Sequence, residues 1–202
     1  DGRDLVVSKR TRPLSPNFPK MNFGNMPNDG GGLILSTDER NSIITQFPEA
    51  ERLIKKLIGA NEFIRGNIRY CLWIKDADLG LALSINTIKE RINKTKNHRL
   101  ASRDASCNNL AERSHQFRDL NEAISSQIIV PSVSSENREY IPMGILSSDT
   151  IVLNSAMVIY DAEPWLFSIL TSRMHMVWVK VVGGKLETRY RYSASVIYNN
   201  FP

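Results

Sequence analysis

Ile128-Ile-Val130, Glu139-Tyr-Ile-Pro-Met143, Thr150-Ile-Val-Leu153 and Met157-Val-Ile-Tyr160 are four short apolar runs, separated by serine-rich turns and by Asn154-Ser-Ala156. Runs of three to five residues, rich in β-branched side chains and closed by turn formers, read as strands. Lys185-Leu-Glu-Thr-Arg-Tyr-Arg-Tyr-Ser193 adds another by alternation: Leu186, Thr188, Tyr190 and Tyr192 face one way, Lys185, Glu187, Arg189, Arg191 and Ser193 the other. Between these groups Pro164–Lys180 is a long, mainly apolar helical run, with Pro164 suited to a helical first turn and Gly183-Gly184 closing the helix. Upstream, Ser36-Thr-Asp-Glu39 is a helix start with Ser36 or Thr37 as cap. Pro48-Glu-Ala-Glu51 opens a second helix, with Leu53, Ile54, Leu57 and Ile58 on one face. Leu79 to Ser102 is helical and turns basic; Leu33-Ile-Leu35 and Arg69-Tyr-Cys-Leu-Trp-Ile74 are short strands; residues 104–125 are a long loop or an irregular helix. The fold class is therefore α/β (α+β). The expectation is a mixed, mainly antiparallel sheet from residues 127–160 and 185–198, with the 164–180 helix packed on it, a helical first half and a strand-rich second half.

A length of 202 residues suits one domain, or one domain with an appendage. Residues 1–20 place Lys9, Arg10, Arg12 and Lys20 among three prolines, which reads as an extended basic linker ahead of a domain at 21–202. Phe23-Gly-Asn-Met-Pro-Asn-Asp-Gly-Gly-Gly32 lacks periodicity and is rich in turn formers, so it is a shaped loop. A net charge of +5 leans weakly toward an anionic partner. Two cysteines, Cys71 and Cys107, make no disulfide framework, and the chain reads as cytosolic. No apolar run of about 20 residues is present, so no membrane span is expected. Starting at Asp1 without a signal peptide, the chain reads as cut from a longer one.

Catalytic signatures are missing. There is no Gly-x-Gly-x-x-Gly after a strand, no P-loop and no Gly-x-Ser-x-Gly elbow. Cys71, His98, Cys107 and His115 lack the short-spaced pairs of a zinc site. His175 reads as a satisfied core or interface histidine, Glu136 and Glu139 as a solvated strand end, and Trp165, Phe167 and Trp178 as core. No cofactor and no catalysis are expected of this chain alone.

The charged strand has two readings. One is a solvated face. The other is base recognition: Glu accepts a hydrogen bond from cytosine N4, and Arg donates two to guanine O6 and N7. On one strand face Glu187 and Arg189 would sit roughly 6.6 Å apart, able to span one C·G pair. Lys185 and Ser193 lie on that face as candidates for the DNA backbone. Arg138 and the serines at 132, 134 and 135 suit phosphate contacts, or make a plain polar loop. The basic helix Lys89–Arg103, Arg99 included, either tracks a DNA backbone or is a solvated face. Asn154 and Ser155 interrupt two apolar runs as a bulge or turn.

Ten blocks taken together resemble a known family. Pro19-Lys-Met-Asn-Phe-Gly-Asn-Met-Pro-Asn-Asp-Gly30 is similar to the start of the target-recognition domain of type IIL, MmeI-like restriction-modification enzymes. In the same order follow Glu62-Phe-Ile-Arg65, Arg69-Tyr-Cys-Leu-Trp73, Arg99-Leu-Ala-Ser102, Val130-Pro-Ser-Val-Ser-Ser-Glu136, Arg138-Glu-Tyr-Ile-Pro142, Pro164-Trp-Leu-Phe167, Ser172-Arg-Met-His-Met176, Tyr190-Arg-Tyr-Ser193 and Tyr198-Asn-Asn-Phe-Pro202. The resemblance covers about residues 18–202. It implies a bacterial, cytoplasmic parent in which one polypeptide carries a nuclease, a helical connector, an adenine-N6 methyltransferase using S-adenosylmethionine, with Mg2+ for the nuclease, and then this domain. Its partners would be double-stranded DNA and the methyltransferase domain of the same polypeptide, with no membrane. In the family, positions matching Glu187 and Arg189 act as a specificity pair, the position matching Arg191 also influences base choice, and the neighbourhood of Asn154 and Ser155 contributes to discrimination. The competing class is a protein-docking domain that never touches bases.

Overall fold

The computed structural model describes residues 7–202, apart from the side chain of Lys185; residues 1–6 of the expected linker lie outside the described residues. The chain opens with strand β1 (Asn22–Phe23) and β2 (Ile34–Leu35). Helix α1 (Thr37–Gln46) starts as the sequence indicates: Glu39 N donates to Ser36 Oγ at 3.1 Å, and Ser36 N donates to Glu39 Oε2 at 2.7 Å. A 3-10 turn (Pro48–Leu53) then leads into strand β3 (Ile54–Ile58), helix α2 (Ala60–Arg65) and strand β4 (Arg69–Leu72). Helices α3 (Leu79–Ser84), α4 (Asn86–Leu100) and α5 (Ala105–Asn109) follow. The second half is β5 (Ser126–Pro131), β6 (Val133–Ser134), β7 (Gly144–Ser147), β8 (Thr150–Val152), β9 (Ala156–Tyr160), α6 (Pro164–Leu170), α7 (Arg173–Val182), β10 (Gly184–Leu186) and β11 (Arg189–Arg191).

Among the described residues three sheets form: β1-β9-β5-β7, β10-β11-β6 and β2-β4-β3-β8. Pairing is antiparallel except between β3 and β8. The architecture is thus the mixed, mainly antiparallel α/β class read from the sequence. Four details differ. The stretch expected as a helix from Pro48 becomes a turn and a strand, because β3 finds partners on both sides, β4 and β8, which satisfy its backbone more fully than one short helix could. The first half is accordingly not purely helical. Glu139–Met143 is a loop, not a strand; Pro142 has no N–H to give a ladder, and pairing begins at Gly144. The 164–180 helix breaks at Thr171-Ser172. Thr171 Oγ1 donates back to Phe167 O at 2.8 Å, and Ser172 Oγ caps α7 by accepting from His175 N at 3.1 Å. The fourth difference, in the charged strand, belongs to the functional site.

Apolar side chains gather in two main clusters. Leu33, Leu35, Leu53, Leu57, Leu72, Ile88 and Phe117 form the first, under α1, α3 and α4. Ile128, Val130, Ile159, Leu166, Val179 and Tyr192 form the second, under α6 and α7. Strand β5 serves both sides of its sheet. Ile128 and Val130 point to the second cluster, while Ile129 points the other way, with Val152, Ala156 and Val158, toward Phe63 of α2.

The 23–32 loop joins these parts. Asn25 is fully buried; its amide donates to Asn121 O at 2.9 Å and accepts from Asn121 N at 2.7 Å. Gly24 is required by close approach, since a Cβ there would lie 2.3 Å from Leu153 O. Arg99 is fully buried. Its guanidinium donates to five backbone carbonyls, those of Pro27, Asn28, Leu110, Arg113 and Gln116, at 2.7–3.1 Å. The described part of the expected basic linker also packs down. Arg10 N donates to Ser195 O at 2.9 Å, Leu14 N to Asn199 O at 2.8 Å, and Phe18 stacks on Phe201. Among the described residues no helix is long and apolar enough to cross a membrane.

Candidate nucleic-acid interface

Helix α7 stops at Gly183, and the chain folds back on itself. The register Gly184↔Arg191, Lys185↔Tyr190 and Leu186↔Arg189 leaves Glu187-Thr188 as a two-residue turn. The expectation of one straight charged strand over 185–193 is therefore corrected to a hairpin. Pairing residues 184–186 against 189–191 satisfies backbone groups that a lone strand would leave open on one edge. Glu187 takes a positive φ of 57°, a conformation that side-chain-bearing residues rarely adopt.

Alternation survives within β11. Tyr190 and Tyr192 turn inward onto the second cluster; Arg189 and Arg191 turn outward. Tyr192 is buried, and its hydroxyl meets His175 Nε2 at 2.9 Å. Burial raises the Tyr192 hydroxyl pKa and pushes the His175 imidazole down to about 4, so the imidazole is neutral at neutral pH. On its other edge β11 pairs with β6, Tyr190↔Ser134 and Arg191↔Val133. The hairpin is thus held from behind and presents its tip to solvent.

At that tip Glu187 Oε2 accepts from Arg189 Nη2 at 3.1 Å, with the two side chains 74% and 54% exposed. The pair does meet, but across a turn rather than along one strand face. Thr188 Oγ1 donates to Glu136 Oε1 at 2.7 Å, tethering the tip to the loop after β6. Glu136, read from the sequence as a solvated strand end, is part of this support; a lone Glu before a loop gave no signal of it.

Asn154 and Ser155 form the turn from β8 into β9. Asn154 N donates to Asn25 O at 3.1 Å, and Ser155 Oγ accepts from Ala60 N at 3.1 Å at the start of α2. They lie at the end of the central sheet where Ala156 pairs with Pro131, next to β6. Met157, two residues on, lines the same cleft as Arg191. Ser193 is half-buried, its hydroxyl 3.1 Å from that of Ser195. Arg138 is exposed on the loop that carries Glu136. The Lys185 side chain lies outside the described residues.

Two expected backbone contacts are corrected. Arg99 is no surface cation, because its guanidinium replaces lost hydration with five carbonyl partners inside the protein. Ser134 is buried in β6 behind Tyr190 and cannot present its hydroxyl to a ligand. The basic helix is depleted further. Arg91 Nε donates to Gly32 O at 2.8 Å and Nη1 pairs with Glu39 at 2.8 Å, so this arginine also serves the 23–32 loop.

The structure thus places an exposed acid–base pair at the tip of a tethered hairpin on a mixed α/β body, and among the described residues no three or more potential metal-ligating side chains cluster. The sequence profile described as "MmeI, target recognition domain" matches residues 1–202, and the chain belongs to that family. DNA methyltransferase A of Bacillus subtilis (strain 168) is 52% identical over 202 residues, which cover 100% of this chain and 23% of that protein. A solved structure of the type IIL restriction-modification enzyme MmeI in complex with DNA matches with a TM-score of 0.91 and 37% identity, over 98% of this chain and 26% of the other. The chain spans about a quarter of the length of these relatives. The resemblance carried by the ordered sequence blocks is therefore correct.

Proposed function

We propose that this chain is the sequence-reading module of a fused restriction endonuclease and adenine-N6 DNA methyltransferase. It reads bases in the major groove of double-stranded DNA and directs where methylation and cleavage fall. The observation that carries this reading is the solvent-facing Glu187–Arg189 pair at the hairpin tip. A two-stranded ribbon fits the major groove, about 12 Å wide. Within it Glu187 accepts from cytosine N4 and Arg189 donates to guanine O6 and N7 of one pair. In the free protein the two side chains neutralise each other, and the DNA-bound state exchanges that contact for the base pair. Arg191, two residues further from the tip, reads a different position. The Asn154–Ser155 turn contributes to discrimination, while Arg138 and Ser193, with Lys185, contact the backbone. S-adenosylmethionine and Mg2+ belong to other domains of a cytoplasmic bacterial protein, and the methyltransferase domain of the same polypeptide is the second partner. The chain itself neither methylates nor cuts.

The test is Glu187→Lys with Arg189→Asp in the full-length protein, followed by mapping of methylated sites. The double variant is expected to exchange C·G for G·C at one position of the target. Each single variant performs worse than the double, because it leaves a polar group unmatched in the groove at about 1–3 kcal/mol. An unchanged target in the double variant favours a docking domain without base contacts. Tritium transfer from S-adenosylmethionine to DNA by the 202-residue chain alone would overturn the non-catalytic assignment.

A further inference from the structure

Beside the root of the hairpin lies a cleft of about 410 Å³. Lys9 and Arg191 line it, with Ser132, Ser193 and Ser195, and Phe23 forms part of its wall. No carboxylate lines it among the described residues. The Ser132 hydroxyl is buried without a hydrogen-bond partner. The Ser193 and Ser195 hydroxyls meet at 3.1 Å; either one can donate to the other, and the proton of the acceptor then stays available to a ligand. Phe23 is 62% exposed, although its strand pairs it to Met157 on β9. Positive charge, unspent hydroxyl donors and an open aromatic face, with no acid, match a phosphodiester and its sugar.

The position fits as well. From Arg191 at the cleft to the turn at Thr188 is three residues of strand, roughly 10 Å at 3.3 Å per residue. The major groove is about 8.5 Å deep. A hairpin that reaches base edges with its tip therefore holds its root level with the phosphates that border the groove. We propose that this cleft seats the sugar–phosphate backbone of the strand bordering the groove, with Lys9 and the hydroxyls of Ser193 and Ser195 on a phosphate and Phe23 against the deoxyribose. The proposal rests on the hairpin reading above and adds the seat that fixes its depth. It gives Lys9 a role that a free basic linker would not have: the segment hydrogen-bonded through Arg10 N to Ser195 O delivers the lysine to the cleft.

The test is fluorescence anisotropy with the 202-residue chain over a range of salt, using a random duplex and the target duplex found by methylation mapping. Lys9→Gln is expected to weaken both duplexes by the same factor and to reduce the slope of log affinity against log salt by about 0.9. Phe23→Ala weakens both without changing the slope, and Phe23→Leu retains most of the binding. Replacing phosphates one at a time by methylphosphonate reveals one position beside the target where the wild type loses affinity and Lys9→Gln does not. Melting temperatures of all variants match the wild type, since both side chains are exposed. The proposal is overturned if Lys9→Gln and Phe23→Ala bind both duplexes like the wild type, or if the loss is confined to the target duplex. If the hairpin does not read bases, Glu187 and Arg189 variants leave the preference between the duplexes unchanged while the cleft variants still weaken both, so the two failures are distinct.

Discussion

At the scale of single residues, two buried polar side chains carry opposite kinds of risk. Arg99 keeps its charge inside the protein because five carbonyl oxygens surround it. Lysine at this position offers three donors, so at least two carbonyls lose their partner. Arg99→Lys is expected to lower stability by about 3 kcal/mol in urea unfolding, while the salt dependence of DNA binding stays that of the wild type. A stable variant with a reduced salt slope would instead make Arg99 a backbone contact. His175 is held neutral by burial, with a folded pKa of about 4 against 6.5 when exposed. Below pH 6.5 the unfolded chain takes up a proton that the folded chain refuses. This contribution, about 3 kcal/mol, is therefore intact above pH 6.5 and is lost progressively as the pH falls toward 4. His175→Gln, which can still bond the Tyr192 hydroxyl, should flatten the loss of stability between pH 6.5 and 4 in a series of urea titrations.

At the scale of elements, the hairpin stores strain at its exposed tip. Glu187 sits at positive φ, where glycine is at ease. Glu187→Gly should raise stability by about 1 kcal/mol and at the same time erase discrimination at the base pair assigned to it, readable as urea midpoint and methylation pattern. A loss of stability on this change would mean that the contact between Glu187 and Arg189 outweighs the strain. The same residue explains why the hairpin was hidden in the sequence. Two-residue hairpin turns announce themselves by Asn-Gly or Gly pairs, and Glu187-Thr188 gives no such signal, while the alternation of 185–193 counterfeits one strand. Strands β5, β8 and β9 were legible because apolar runs with turn formers at both ends leave little choice. The break at Thr171-Ser172 was not, since it depends on a hydroxyl bonding back to Phe167. Strand β3 was lost for the opposite reason: Leu53, Ile54, Leu57 and Ile58 satisfy a helical period, and only partners distant in sequence make them a strand. Of the candidate site residues, Glu187, Arg189 and Arg191 were visible as charges in alternation. Arg99 and Ser134 were misread because burial of a polar side chain has no local signature.

At the scale of the whole molecule, the two apolar clusters are joined by the central sheet and by the 23–32 loop, which Asn25 and Arg99 fix from within. They should unfold as one unit. Trp73 lies in the first cluster and Trp178 against the second. A chain keeping only Trp73 and a chain keeping only Trp178 are expected to give fluorescence transitions that coincide with each other and with far-ultraviolet circular dichroism in urea. Transitions with separate midpoints would mean two independent units.

Strand β5 hands alternate side chains to opposite sides of its sheet. Deleting or inserting one residue between Ile128 and Val130 would exchange the two sets and expose neither to a surface that fits it. The loop at residues 137–141, which has no ladder to keep in step, carries no such penalty. Length changes during descent should therefore accumulate beside the tether at Glu136 and be purged from β5, so that drift in chain length re-aims the hairpin while the body beneath it stays the same.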